Sequence, residues 1–427
     1  MSKYMSEKSA RKSQDVISIP VDQIYSQDSL TNNAKPIGWK GEFIDNTAQD
    51  SKPATIKLPG LTAPDRVPTG LAKQWRFGKT LLNLLRRPKI VNDLPIHLQM
   101  ESTDACNLNC TTCSRDIFID KAKLLDEKIW KKVIDEIVPT NINVSGIGEP
   151  FLHPDIFDIV GYAKSKGSII NCATNFTRID GRYREIIDSG ISQLKVSIDS
   201  TDRETFKAIR GEDYFDEIID NVRNIVHLRD DLKKDVPGIR FNFAVQALNY
   251  KQAPGLIDLA AEVGVEGIYF QYLEYVDMED RKGMLTGDMT KESLLEVLKE
   301  TEKRAEEKGI LTNLDIWWRD FDVFWNKMQP IAEFQPNNKA CYFPWFSTWL
   351  SADGWIRPCP IMPWTLDEGR MGNLAEQSFS EIWNGAKYQE LRAALARGER
   401  PTRSCKTCIP QSLHNILFMR SKLLPKK

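Results

Sequence analysis

The chain has 427 residues, 41% of them hydrophobic and 27% charged, with a formal net charge of -1. Those values suit a globular protein of two folded units and exclude a disordered scaffold, while the near-zero charge gives no global pull toward nucleic acid or anionic lipid. No apolar run reaches bilayer length and the charged N-terminus lacks a signal-peptide core, so a cytoplasmic protein without an integral membrane segment and without a nucleic-acid partner is expected.

Residues 1–93 are polar and turn-rich, with Pro36, Pro53, Pro59, Pro64 and Pro68 scattered through them, and read as an extended N-terminal arm. The end of the arm, 81–87, has the pattern of a short basic amphipathic helix packed on the main domain. From 94 to 310, β-prone runs at 96–101, 141–145, 168–174, 193–198, 239–245 and 267–272 alternate with helical stretches at 126–138, 155–165, 182–189, 214–228, 253–263 and 291–307. In the first of these helices Ile129, Val133 and Ile137 form one stripe, as a helix covering a sheet requires. Six βα units in succession predict an α/β fold around a parallel sheet.

Residues 311–340 carry Trp317, Trp318, Phe321, Phe324, Trp325 and Phe334, a density that predicts burial at a seam between two domains. A cysteine-bearing module occupies 341–410, and a tail at 411–427 reads as a docking helix.

Seven of the eight cysteines fall in groups, which favours metal ligation over disulfides in a cytosolic chain; Cys172 stands alone. Cys106, Cys110 and Cys113, spaced C-x3-C-x2-C, follow the first predicted strand and so lie at the C-terminal mouth of the sheet, where such folds place chemistry. Three thiolates without a nearby histidine do not close a structural zinc site. They do suffice for an iron-sulfur cluster with one iron left open.

This cysteine spacing, after the first strand of a six-unit βα domain, resembles the radical S-adenosylmethionine (SAM) superfamily. The resemblance implies a partial (β/α)6 TIM-like barrel and a 4Fe-4S cluster whose open iron binds SAM. It further implies reductive cleavage of SAM to a 5'-deoxyadenosyl radical, with a reduced flavodoxin or ferredoxin-type protein as electron donor. Thr112 stands where the family commonly has an aromatic residue before the third cysteine. The loop after the second strand, Ser145-Gly146-Ile147-Gly148-Glu149-Pro150, is similar to the family's Gly-Gly-Glu-Pro motif with one glycine displaced. There, glycines admit close approach of backbone to a ligand and a carboxylate can hold an ammonium. By the same resemblance Asn175 and Ser197 are candidate contacts to SAM and Arg210 a candidate carboxylate partner, against the competing reading that each satisfies local backbone. Asp199 reads as a helix cap, and Glu274 is a weaker candidate.

In the C-terminal module, Cys341, Cys359, Cys405 and Cys408 make either one zinc ribbon or one cluster site on spacing alone. Gly354 to Cys359, Gly372-Asn373-Leu374 and Ile382 to Gly385, followed by Tyr388 and Arg392, resemble the SPASM or twitch extension of radical SAM enzymes. That resemblance implies one auxiliary 4Fe-4S cluster held by all four thiolates.

Hydrogen abstraction followed by electron transfer to the auxiliary cluster would oxidise a small polar molecule such as a sugar or aminocyclitol; return of a hydrogen would epimerise it. Cys172 has strand parity opposite to Asn175 and reads as a buried structural cysteine rather than a hydrogen donor. The alternatives are a maturase that modifies a peptide or protein, although the arm lacks the pattern of a leader-peptide-binding domain, and a non-enzymatic electron carrier or scaffold.

Overall fold

The computed structural model describes residues 71–273, 287–329, 340–361 and 368–410. All six predicted strands are present: β1 (His97–Met100), β2 (Asn141–Val144), β3 (Ile169–Thr174), β4 (Gln193–Ser197), β5 (Gly238–Val245) and β6 (Gly267–Tyr272). They pair in chain order and in parallel. Helix α1 (Leu71–Arg86) precedes β1. The crossovers are α2 (Glu127–Ile137), α3 (Ile156–Ser165), α4 (Tyr183–Ser189), the pair α5 (Arg203–Arg210) and α6 (Phe215–Asp231), and α7 (Ala253–Val263); α8 (Lys291–Lys308) follows β6.

Strand alternation sorts the side chains onto two unlike faces. Leu98, Val144, Ile170, Leu194, Phe241 and Phe270 are fully buried in the core, the face that the helices cover. Between them, Gln99, Asn143, Asn171, Lys195, Arg240 and Asn242 are only partly buried and give the opposite face a polar lining. The helices start and stop where local chemistry dictates. The Asp126 carboxylate accepts from the Lys128 amide at 2.8 Å to open α2, and Thr290 with Ser293 forms a capping box on α8. In α2 the buried stripe is Trp130, Val133, Ile134 and Ile137, rotated by one residue from the Ile129 stripe read from the sequence.

The sheet is larger than expected. Strand β7 (Leu311–Thr312) adds beyond β6, and on the far side of β1 lie β8 (Ser347–Leu350), β9 (Trp355–Arg357) and β10 (Gly372–Asn373). β8 pairs with β1 in parallel, and β9 and β10 continue as an antiparallel edge. The order is β10-β9-β8-β1-β2-β3-β4-β5-β6-β7. Two separate edges remain, so the sheet is an open partial barrel. β8 is buried on both faces and so lacks the alternation that marks a strand, and a two-residue strand leaves no periodicity to read.

Most of the aromatic stretch forms α9 (Leu314–Met328). Trp317 donates from Nε1 to the Phe270 carbonyl at 3.0 Å and Phe324 stacks on Tyr272 at 4.5 Å, so these rings cover β6 rather than a seam between domains. Phe334, the arm before residue 71 and the tail from 411 lie outside the described residues. α1 is clamped to the body by Arg76, which donates to the carbonyls of Val138, Pro95 and Ile137 at 2.7 to 2.8 Å. The segment between α1 and β1 is tied to the C-terminal module. Trp345 donates to the Pro88 carbonyl at 2.8 Å and Trp383 to that of Asp93 at 2.9 Å. In that module α10 (Phe379–Trp383), α11 (Ala386–Ala396) and α12 (Arg403–Thr407) surround the cysteines. None of the described helices is long and apolar enough to cross a membrane.

Candidate active site and auxiliary cluster site

The loop leaving β1 carries Cys106, Cys110 and Cys113, all partly buried, and none of the eight cysteines is in a disulfide. The Cys113 amide donates to the Cys110 carbonyl at 3.0 Å, a turn that sets these two thiols side by side. Burial pushes the Cys106 thiol up to about 12, with Glu149 adding to the effect, and the Cys113 thiol up to about 11. The metal-free chain therefore holds these two thiols protonated, and uptake of a metal releases their protons.

Two neighbours aim hydrogen-bond donors at the sulfurs. Asn175, just past β3, reaches Cys106 Sγ from Nδ2 at 3.8 Å and Asn107 Oδ1 at 3.0 Å. Arg210, the last residue of α5, reaches Cys110 Sγ at 3.7 Å. The same guanidinium pairs with Asp199 at 2.5 Å. Desolvation opposes the Arg210 charge, but Asp199 and the thiols of Cys110 and Cys106 outweigh it and hold the group well above its ordinary range. The expectation from the sequence that Asp199 caps a helix is therefore corrected. Asp202 caps α5 by accepting from the Thr205 amide at 2.8 Å, whereas Asp199 sits at φ 52° and accepts from the Ala244 amide at 2.6 Å.

Glu149 also departs from its expected part. Its oxygens accept from Thr174 Oγ1 and the Asn175 amide, both at 2.6 Å, and from the Phe151 amide at 3.1 Å. It is a fully enclosed brace joining the Gly146 to Pro150 loop to the end of β3, not an open carboxylate for an ammonium. Burial pushes its carboxyl up to about 7 against the pull of those hydrogen bonds. The two glycines serve the chain's own packing. A Cβ at Gly146 would stand 2.2 Å from Glu101 Oε1, and one at Gly148 would stand 2.2 Å from the Thr103 carbonyl and 2.6 Å from that of Ala105. Pro150 opens a 3-10 turn capped by Glu149, and Ser197 ends β4 on the polar face beside Asn242. Thus the geometry gathers the three cysteines with Gly148, Glu149, Asn175 and Arg210, with Ser197 on the neighbouring rim. Glu274 lies outside the described residues.

Three participants were missed in the sequence. Glu101, at the end of β1, accepts from the Ile147 amide at 2.6 Å and the Ala352 amide at 3.2 Å, so one carboxylate spans the glycine loop and the C-terminal module. Its rim position was the available signal. Asn107 donates to Thr177 Oγ1 at 2.8 Å and so braces Asn175, but an asparagine between cysteines carries no mark of that role. Gln246, leaving β5, is completely buried with both side-chain amide atoms unpartnered. A buried orphan amide in the loop network of Asp199 fits a polar ligand at this rim.

In the C-terminal module, Cys341, Cys359, Cys405 and Cys408 line one small apolar cavity together with Pro344, Pro358, Leu391, Leu395 and Arg400. Burial pushes the Cys341 thiol up to about 11. Arg392 supports this cavity from behind. Its guanidinium lies 4.2 Å from the Trp383 ring and 4.8 Å from that of Tyr388, and donates to the carbonyls of Pro344 and Trp383. Among the described residues no three His, Cys, Asp or Glu side chains converge on a single-ion site. Three thiols on one loop and four around one cavity are donor sets of the kind an iron-sulfur cluster takes, each thiolate on a different metal atom.

Comparison with known proteins agrees with this arrangement. Residues 100–241 match the model of the radical SAM superfamily, and residues 341–409 match that of the SPASM iron-sulfur cluster-binding domain. The chain therefore carries a radical SAM domain followed by a SPASM domain. Its cofactors are SAM, the 4Fe-4S cluster that binds it and an auxiliary 4Fe-4S cluster. It is 25% identical over 331 residues (73% of this chain, 86% of the relative) to the tungsten-containing aldehyde ferredoxin oxidoreductase cofactor-modifying protein of Pyrococcus furiosus. To the AdoMet-dependent heme synthase of Methanosarcina barkeri it is 25% identical, covering 71% of this chain and 86% of the relative. To the PqqA peptide cyclase of Gluconobacter oxydans it is 22% identical, covering 73% and 83%. The fold is similar to that of Streptococcus suis SuiB bound to S-adenosylmethionine, with a TM-score of 0.57, 14% identity, and coverage of 83% of this chain and 80% of that one.

Proposed function

We propose that this enzyme is a maturase that modifies a peptide or protein precursor, the alternative weighed against sugar or aminocyclitol oxidation in the sequence. The observation that carries the reading is extended likeness. Relatives that align along more than two thirds of the chain include a peptide cyclase and a cofactor-modifying protein. Oxidation or cross-linking of a precursor suits an auxiliary cluster able to take up an electron.

When bound, SAM and its cluster supply a 5'-deoxyadenosyl radical that abstracts a hydrogen atom. The chain supplies the setting. Cys106, Cys110 and Cys113 would hold the SAM-binding cluster; Cys341, Cys359, Cys405 and Cys408 would hold the auxiliary one. Asn175 and Arg210, donating toward two of the thiols, stabilise negative charge on the sulfurs and tune a cluster held there. Glu149 locks Asn175 in place through its backbone amide, and Glu101 holds the glycine loop. The polar face below them excludes no water by itself but offers hydrogen bonds to a substrate, which an apolar interior could not.

The test has two arms. Anaerobically reconstituted wild type is expected to cleave SAM under reductant. The Cys106→Ala, Cys110→Ala, Cys113→Ala triple variant is expected to lose cleavage while keeping one cluster by iron and sulfide count. For the substrate, stimulation of 5'-deoxyadenosine formation by a host extract should reside in the protease-sensitive macromolecular fraction. Stimulation that passes into the small-molecule filtrate and survives protease would refute the maturase reading.

A further inference from the structure

Arg240 sits in the middle of β5 on the polar face of the sheet, between the core residues Ile239 and Phe241, which point the other way. Several buried or partly buried arginines among the described residues have acceptors. Arg210 has Asp199, Arg229 has Glu266, and Arg392 has the carbonyls of Pro344 and Trp383. Among the described residues Arg240 instead meets only the ring of Tyr269, 4.9 Å from its guanidinium carbon, and its Nε is buried with no hydrogen-bond partner there. Desolvation pushes the group down to about 10, with the Tyr269 phenol opposing the shift. Beside it Asn242 Oδ1 is likewise buried and unpartnered, and its register partner is Tyr269. Lys195, the register partner of Arg240 on β4, adds a second cation to the same row and donates to Asn143 Oδ1 at 2.7 Å.

A partly buried guanidinium whose Nε is out of water and which meets no counter-charge among the described residues is costly, and a ligand that brings an anion lowers the cost. We propose that Arg240 is a substrate-anchoring residue that binds a carboxylate group of the substrate, with Asn242 and Tyr269 as its flanking polar contacts. A guanidinium fork presents two parallel N–H groups that match a carboxylate, and this site lacks the run of free backbone amides from which phosphate cradles are built. The position suits an anchor. Asn242 is paired in register with Ser197 at the rim, and Arg240 lies two residues deeper, about 7 Å along the strand. A carboxylate held there leaves the adjoining carbons of an acidic side chain or chain terminus extending up toward the cysteine loop. This inference rests on the polar face being the substrate cavity of the proposed maturase, and it adds the chemistry by which the precursor is gripped.

The test is protection of Arg240 from phenylglyoxal in the anaerobically reconstituted full-length enzyme, read by mass spectrometry of the peptide that contains it. Glutarate is expected to slow modification at least about threefold relative to sodium chloride at equal ionic strength, with the neutral glutaramide without effect. Equal protection by glutarate and chloride, stronger protection by inorganic phosphate, or an Arg240 that never reacts would each overturn it. A structural role is separated by Arg240→Gln. The anchor predicts an unchanged or raised melting temperature, because the variant removes a charge with no described counter-charge, together with loss of the glutarate effect at that position; a marked fall in melting temperature assigns the arginine to the fold. Failure of the wild type to cleave SAM would strike the proposed function alone, since the protection assay reads only the arginine.

Discussion

Replacing Glu101 by glutamine should make the protein more stable at alkaline pH. Burial raises the Glu101 carboxyl to about 7 from its ordinary 4.5, despite the amides of Ile147 and Ala352 that favour the charged form. For a carboxyl whose folded pKa is raised, ionisation is harder in the folded state. The penalty is therefore absent below the unfolded value and complete above the folded one, so stability falls as pH rises from about 4.5 to 7. The size follows from the shift, roughly 2.5 units at 1.36 kcal/mol each, or about 3 kcal/mol. Glu101→Gln keeps an acceptor for Ile147 and imitates the protonated acid, so it should match wild type near pH 4 and exceed it by about 3 kcal/mol at pH 8. Glu149 and Asp104 are raised by burial in the same direction, so the slope of the wild type alone is not diagnostic. The difference between the two proteins isolates Glu101. Urea unfolding of the iron-free chains, followed by tryptophan fluorescence at both pH values, measures it. Equal midpoints at pH 8 would show that the carboxylate is not held in the desolvated state described above.

Two further substitutions probe the rim. Gly148→Ala places a methyl group against the backbone carbonyls of Thr103 and Ala105, which cannot step aside without moving the cysteine loop. Loss of iron from the first site and of SAM cleavage is expected, with the auxiliary cluster retained, as checked by metal analysis and 5'-deoxyadenosine assay. Arg210→Gln leaves Asp199 buried without its partner and should cost roughly 3–5 kcal/mol, while adding Asp199→Asn should recover much of the stability but not the rate of SAM cleavage. Recovery of both by the double variant would mean that Arg210 does nothing for the cysteine loop beyond balancing Asp199.

The six strands and their helices were legible because their period is written into the residues themselves, two for strands and 3.6 for helices. The cysteine groups were legible because ligation by a loop needs short spacing. What was not legible depends on partners distant in the chain. Glu149 was identified, yet its three donors come from the next turn and from β3, so its role as a brace could not be read from one strand. Asp199 reads as a cap because its true partners, Arg210 at the end of α5 and the Ala244 amide on β5, are distant in the chain. Arg240 looked like an ordinary polar position on an alternating strand, since what distinguishes it is a missing neighbour.

The parallel pairing of β8 with β1 makes the two iron-sulfur regions neighbours through a shared hydrogen-bonded ladder, in register from His97 opposite Ser347 to Met100 opposite Leu350. Evolutionary exchange of such modules between enzymes is therefore constrained at a seam rather than at a linker. A transplanted C-terminal piece must supply a strand that fits the first strand of its new host, and a truncated enzyme ending before residue 340 would leave that strand's polar edge bare and prone to pair with another molecule.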